Sequence, residues 1–462
     1  MRLQAISDVL NPISPLANLS LSVPHRVLVV GCAYGGLSAV VNLLDCDKGK
    51  ARESYYPDAP DFKEKRSRNG VEITVLDERD GYFHSVGAPL AHTVPKHTVN
   101  MWKRFSHTNE LRSQRNLNFK HGSLQRIDPD AKVAEWLDRN GKTQHQAYDY
   151  LIMATGLKRH WPAVPKSGSY EEYLRDSQTF ISKIVGGDPK IPQEGRRVVV
   201  IGAGAVGIEF AGEIKTHYPG INVTLIHSRD QVLSSEPLPS DVKDKVKDIL
   251  VEEGVDVVTG NRAAITELPN GEFEVKLANG TVLIADFVID STRKGEPTTD
   301  PLPEACLNKD KEVKVNLDLS FQDTIPNASS HFGVGDVVEW SGIKRAGSAM
   351  VMGQTAAQNI YAAILNSESR HASPDEQYKL LKLNKWEPVI GIAIGKQCLT
   401  WGSKAGMKYG VEVMEGYFGD DLGWAGNLKY VGLTDVEEEK EPAKPEAVKM
   451  GEVGVQEISA AA

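Results

Sequence analysis

The strongest constraint on this chain is an internal echo. "RVLVVGCAYGGLSAVVNLL" at residues 26–44 returns as "RVVVIGAGAVGIEFAGEI" at 197–214. Each copy opens on an arginine and runs through a β-branched apolar stretch. Each then breaks at a glycine and resumes with small and apolar residues at helical spacing. A second apolar run follows each copy, "VEITVLDERD" at 71–80 and "NVTLIHSRD" at 222–230. Strand, glycine turn, helix and strand make a βαβ unit. Two such units predict an α/β chain with two doubly wound lobes. The 462 residues leave room for two or three domains.

The rest of the chain is arranged around this pair. Residues 46–70 are charged, carry prolines and glycines, and are expected as a surface insertion in the first unit. Residues 117–156 read as several short strands with a hairpin turn at Asn140-Gly141, ending on Ala154-Thr155-Gly156. A Pro/Gly/Ser-rich stretch, 161–195, leads into the second unit. A further β-rich run at 272–292 has its own Asn279-Gly280 turn. "SSHFGVGDVVEWSG" at 329–342 predicts a strand ending on Gly335-Asp336, and 346–365 predicts a small-residue helix. A strand pair at 387–401 marks a small C-terminal domain, 373–433. Residues 434–462, acidic and proline-bearing, are expected to be disordered. In the N-terminal extension, 1–24, Leu3, Ile6, Val9 and Leu10 have helical spacing, and the segment makes a poor secretory signal.

Composition removes several classes of function. A net charge of −9 without a long basic run argues against nucleic acid as the main partner. Cys32, Cys46, Cys306 and Cys398 are far apart and form no Cys-x-x-Cys, so neither a metal site nor a redox dithiol is expected. Such sparse cysteines fit a reducing compartment, hence a cytoplasmic location. No apolar run reaches the roughly 18 residues that span a bilayer.

What remains is the chemistry of the glycine turns. A pyrophosphate needs close backbone approach and unpaired amides at a helix N-terminus. Gly202, Gly204 and Gly207 make the full pattern in the second copy. In the first, Gly31 and Gly36 stand, Ala33 replaces the middle glycine, and Gly35 is expected to supply room beside it. An acidic residue at the end of the next strand holds a ribose hydroxyl. Asp77, or its neighbour Glu78, fills that position 46 residues after Gly31. The usual interval is about 20, and the insertion accounts for the excess. The second unit has His227-Ser228-Arg229 there. A hydroxyl and a guanidinium without a carboxylate favour a 2′-phosphate, hence NADPH or tolerance of both NADPH and NADH. Gly335-Asp336 offers a carboxylate to a sugar-alcohol chain.

The ordered set "VVGCAYGG", "LDERDGYFH", "LIMATG", "VIGAGAVGIEFAGEI", "FGVGD" and "AGSAMVMGQTAAQNI" resembles the two-dinucleotide-binding-domain flavoproteins over roughly residues 25–433. Within them it looks most like the apoptosis-inducing-factor-like, mitochondrion-associated group. Type II NADH dehydrogenases are more distant relatives. The resemblance implies FAD in the first lobe, 25–160 and 312–372, and NAD(P)H in an inserted second lobe, 195–292. It implies that Gly31, Ala33, Tyr34, Gly35 and Gly36 cradle the FAD pyrophosphate. Asp77 would take the ribose, with Glu78 beside it and Arg79 at the adenine end. Leu124 would meet adenine through its backbone, and Ala154, Thr155 and Gly156 would line the wall. Gly335-Asp336 would hold the ribityl chain. Gly202, Gly204, Val206 and Gly207 would receive the nicotinamide dinucleotide, with Glu209 near its ring. His84 and Lys344 stand on loops expected to approach the flavin. Departures from the family are Ala33, the insertion, and "VIDSTRKGEP" where relatives often carry a second Ala-Thr-Gly.

The expected activity is an FAD-dependent oxidoreductase passing electrons from NAD(P)H to a quinone or other small acceptor. The absent dithiol disfavours disulfide reduction. Trp340 and Tyr34 are weighed as lining an acceptor slot, with core packing preferred for each. Two other classes stand beside this one: a biosynthetic flavoenzyme acting on one metabolite, and a redox-signalling protein. The resemblance adds peripheral membrane or mitochondrial association. Oligomeric state is left open.

Overall fold

The computed structural model describes residues 23–50, 60, 62–369, 373 and 376–433. The N-terminal helix and the disordered tail expected above lie outside these residues. The first echo folds as β1 (His25–Val30), α1 (Tyr34–Asp47) and β2 (Val71–Asp77). β1 and β2 pair in parallel, with Val27 opposite Ile73 and Val29 opposite Val75. Val27 to Val30 are all buried, as a central parallel strand covered on both faces requires. Then come β3 (Leu117–Asp128), β4 (Val133–Asp138), β5 (Thr143–Ala147) and β6 (Tyr150–Met153). β3 runs parallel to β2 in its first half and antiparallel to β4 in its second. Gly141, at φ +75°, turns β4 into β5.

The stretch 161–195, expected as a linker, instead holds a helix, α2 (Tyr170–Val185). Its signals are local. Ser169 accepts the Glu172 amide at 3.4 Å, and Gly186 closes the far end at φ +82°. Tyr173, Phe180, Ile181 and Ile184 recur at helical spacing and are buried. The prolines that suggested a linker lie outside the helix.

The second lobe comprises β7 (Arg197–Ile201), α3 (Ala205–His217), β8 (Asn222–Ile226), α4 (Ser240–Glu252) and β9 (Asp256–Val258). An antiparallel meander follows, β10 (Ala263–Glu267), β11 (Phe273–Leu277) and β12 (Val282–Ala285). β13 (Phe287–Asp290) then returns beside β7. The parallel sheet order is β9-β8-β7-β13. The chain leaves the first lobe along Leu157–Lys158 and returns along Glu296–Pro297, and these two segments pair antiparallel. The second lobe is therefore inserted into the first through a two-stranded ribbon.

β14 (His331–Gly333) completes the first sheet in the order β14-β6-β1-β2-β3-β4-β5. α5 (Ala346–Glu368) lies along α1. The described part of the 46–70 insertion is anchored to the end of α5. Glu368 accepts the amides of Arg68 at 2.8 Å and Asn69 at 3.2 Å, and buried Phe62 meets Tyr361 edge-on. The C-terminal segment forms β15 (Val389–Ile394), β16 (Gln397–Gly402), β17 (Gly406–Gly410), α6 (Val411–Tyr417) and α7 (Trp424–Val431). Its Ile390, Ile392, Ile394 and Leu399 enter the core of the second lobe. Its Met414, Trp424 and Leu428 enter the core of the first. Among the described residues no helix is long and apolar enough to cross a membrane.

Candidate functional site: two glycine cradles and the seam between them

In the first cradle, Gly31 has φ +86°, and a Cβ there would lie 2.6 Å from the Ala154 carbonyl oxygen. A Cβ on Gly36 would overlap the carbonyl oxygen of Gly31. Both glycines are thus required by the crossing of β1, α1 and β6. Ala33 is different. It caps α1 at φ −89°, exposed, in backbone open to any residue. Its methyl obstructs nothing in the fold. Gly35 does not make room beside it. A Cβ there would meet Val334 at 3.1 Å and the Ala349 carbonyl at 3.2 Å, so this glycine serves the packing of α5 on α1. α1 has no capping side chain and no acidic residue in its first turn. Its N-terminal amides therefore fit an anion such as a pyrophosphate.

Asp77 closes the cradle. Its carboxylate accepts the Cys32 amide at 2.6 Å and the Arg79 amide at 2.8 Å. Burial raises its pKa, against the pull of Arg79 and these bonds. Glu78 accepts from the Ser123 hydroxyl at 2.6 Å. The buried Arg79 Nε has no hydrogen-bond partner within the protein. Leu124 is buried where β3 shifts register against β4. Beyond Ala154, Thr298 donates its hydroxyl to the Gly156 carbonyl at 3.0 Å, and Thr155 reaches the Thr298 carbonyl at 3.3 Å. These bonds sew the wall to the returning ribbon.

The second cradle repeats this geometry. Gly202 has φ +103°, and a Cβ on Gly207 would overlap the Gly202 carbonyl oxygen. Gly204 caps α3 at φ −79°, with nothing within 4 Å of an added Cβ. The middle position is thus open in both copies. Val206 is half-buried beside it. Ser291, in the stretch that departs from the family's second Ala-Thr-Gly, donates to the carbonyls of Ile201 at 2.8 Å and Gly202 at 2.9 Å. His227 stands where Asp77 stands in the first lobe. It accepts the Ala203 amide on Nδ1 at 3.2 Å and donates from Nε2 to Ser234 at 2.9 Å. Burial, then Arg229, lowers its pKa, so it is neutral. Ser228 and Arg229 are exposed beside it.

Between the cradles lies a residue that the sequence pattern did not mark, Arg159. Its guanidinium donates to Asp336 Oδ2 at 2.8 Å. Its charge also acts on Tyr34, Glu209 and Glu236. Asp336 follows Gly335, which has φ +75°. Lys344 donates to the Asp336 carbonyl and to Glu312, both at 2.5 Å, and so braces this turn. Glu209 sits at the seam. Burial and the neighbouring Glu213 push its pKa up to about 8, against the Ala393 amide and Arg159.

His84 is not on an open loop. It is buried between the strand Gly81–Phe83 and the turn Ser85–Gly87. Its Nε2–H donates to the Leu422 carbonyl at 2.9 Å, and Nδ1 accepts from the Tyr34 hydroxyl at 3.1 Å. Burial lowers its pKa to about 4, so it is neutral and ties α7 to the first lobe. Tyr34 itself is buried and accepts the Val86 amide at 3.0 Å. Trp340 packs edge-on to Trp386 at 6.0 Å. All four cysteines are buried, and burial holds the Cys32 thiol well above its usual pKa.

Two equivalent glycine turns at helix N-termini, one on each α/β lobe, with Arg159 between them, make the scaffold of a two-dinucleotide oxidoreductase. The model of the pyridine nucleotide-disulphide oxidoreductase family matches residues 59–359. The chain belongs to this family, whose members bind FAD and NADH or NADPH. It is 38% identical over 429 residues to oxidoreductase OXR1 of Ajellomyces capsulatus, covering 90% of each chain. It is 26% identical over 396 residues to ferroptosis suppressor protein 1 of Taeniopygia guttata, covering 83% of this chain and 94% of that one. Among solved structures it is similar to NDH2 of Plasmodium falciparum in complex with NADH. There the TM-score is 0.59 and the identity 12%, over 88% of this chain and 96% of that one.

Proposed function

We propose that the chain is an FAD-dependent NAD(P)H oxidoreductase that reduces a small acceptor of the quinone class. The carrying observation is the pair of matched cradles with different ribose-end groups, Asp77 in one and neutral His227 in the other. The first, with its carboxylate, suits FAD. Gly31, Ala33 and the α1 amides would hold the pyrophosphate, Asp77 the ribose and Asp336 the ribityl chain. The second suits NAD(P)H. Residues 227–229 carry no carboxylate to repel a 2′-phosphate, and Arg229 can pair with one, which favours NADPH. Bound FAD supplies a two-electron acceptor for hydride and a donor to the second substrate. Around it, Arg159 and Lys344 orient Asp336 and its turn, and Glu209 holds a proton at the seam.

A disulfide as acceptor requires a thiolate to attack it. Cys32, the cysteine at the phosphate turn, is buried with a raised pKa, so a thiol-independent acceptor is favoured. The test is stopped-flow reduction of the purified yellow protein, then turnover with short-chain quinones, ferricyanide and glutathione disulfide. Reduction by NADPH at least as fast as by NADH, with turnover on quinones but not on the disulfide, is expected. A colourless protein that gains no flavin absorbance with FAD would sink the proposal. So would disulfide turnover lost in Cys32→Ser. A strong NADH preference that survives Arg229→Ala would remove Arg229 as the reader of the 2′-phosphate.

A further inference from the structure

α3 carries three titratable side chains on one face. Glu209, Glu213 and His217 are each four residues apart, so they stand one above another along the helix. Glu209 lies at the seam, covered by β15 through the Ala393 amide. Glu213 is 3% exposed, and its carboxylate meets His217 Nε2 at 3.2 Å. His217 ends the helix with its side chain 35% exposed. The three groups therefore follow one another along one helix face from the lobe interface to solvent. A carboxylate buried to this extent is costly to keep for packing alone.

We propose that Glu213 and His217 form a proton relay between solvent and Glu209. The inference rests on the acceptor reading above, because the chemistry creates the need. NAD(P)H brings two electrons and one proton, whereas a quinone takes up two electrons and two protons. The balance is NAD(P)H + H⁺ + quinone → NAD(P)⁺ + quinol, with one proton drawn from water in each turnover. Glu209 stands half-buried between the two lobes beside β15, where a bound nucleotide would cover it. Each carboxyl can receive a proton on one oxygen and release it from the other. Burial raises the pKa of both carboxyls, that of Glu209 to about 8, and so favours the protonated form that a relay requires. Arg159 is the cation facing Glu209. At the outer end His97 faces His217, with Lys96, Asp420 and Asp421 around it. His84 does not offer an alternative route, since both its nitrogens are bonded within the core.

The holoenzyme tests this directly. Glu213→Gln keeps the size of the side chain but cannot change its protonation. With a short-chain quinone, kcat should fall about tenfold while KM for NADPH stays within about twofold. The solvent deuterium isotope effect on kcat should rise, and the loss should deepen with pH. His217→Ala should lose less, and added imidazole should restore it. A second readout needs no turnover. The infrared carboxyl band of resting holoenzyme that Glu209→Gln abolishes should exchange with D₂O more slowly in Glu213→Gln. An isotope effect, pH profile and exchange rate equal to wild type would overturn the relay. So would a kcat loss in His217→Ala that imidazole does not relieve, with exchange unchanged. If wild type turns over no quinone, the functional reading fails, while the infrared exchange still decides the relay.

Discussion

At the residue scale, one methyl group separates two neighbouring positions of opposite tolerance. Gly36 has no room for it, because the Gly31 carbonyl occupies the place. Ala33 carries it freely at φ −89° on the surface. Gly36→Ala should therefore cost about 3 kcal/mol and lower the melting temperature by several degrees. Ala33→Gly should change stability by less than about 1 kcal/mol. If Ala33→Gly tightened FAD binding more than about tenfold, the methyl would be an obstruction to the pyrophosphate after all. Asp336→Ala removes a charge-assisted bond worth about 1.5–3 kcal/mol, so FAD should rebind roughly ten- to a hundredfold more weakly. An unchanged dissociation constant, measured by flavin fluorescence, would leave Asp336 as a partner of Arg159 alone.

At the element scale, α7 is held by a polar core rather than by apolar contact alone. His84 bonds the Leu422 carbonyl just before the helix, Trp424 stacks on Tyr82 at 5.8 Å, and Asn427 bonds the Tyr82 hydroxyl. Burial keeps His84 neutral with a pKa of about 4, and the ordinary value is 6.5. The unfolded chain therefore binds this proton more readily than the folded one. Stability from the neutral imidazole is complete above about pH 6.5 and is lost as pH falls from there toward 4, up to about 3 kcal/mol. His92, held near 3 by burial, acts in the same direction. Urea unfolding at pH 7 and pH 4.5 should show this loss, and His84→Gln should flatten part of the slope. An identical slope in the variant would place the acid sensitivity elsewhere. Hydrogen exchange in α7 should rise ahead of the first lobe as the pH falls.

At the scale of the whole molecule, the C-terminal segment completes two cores at once. Ile390, Ile392, Ile394 and Leu399 fill the second lobe, and Trp424 and Leu428 fill the first. Each fully buried side chain of this kind contributes about 1.5–3 kcal/mol. A chain ending at residue 375 should lose its cooperative transition in both lobes and bind a hydrophobic dye. A truncated chain that melts cooperatively at the full-length temperature would refute this coupling. The division of labour between sequence and fold follows from the range of the forces involved. Glycine turns, alternating apolar strands and hairpin dipeptides are local, so the two βαβ units, their order and the positions of Gly31, Asp77, Gly202 and Asp336 were all legible. The Ser169 cap and apolar period of α2 were equally local, but nearby prolines outweighed them. Other features have no local mark. Arg159 meets Asp336 177 positions away, His84 is buried by Leu422 338 positions away, and Gly35 answers to α5. The echo in the sequence determined that two cradles exist, because the backbone conformations it demands are set by neighbours in the chain. Only the tertiary structure decided which side chains face each other across the seam and which are neutralised by burial, because desolvation and long-range pairing depend on the whole packed molecule.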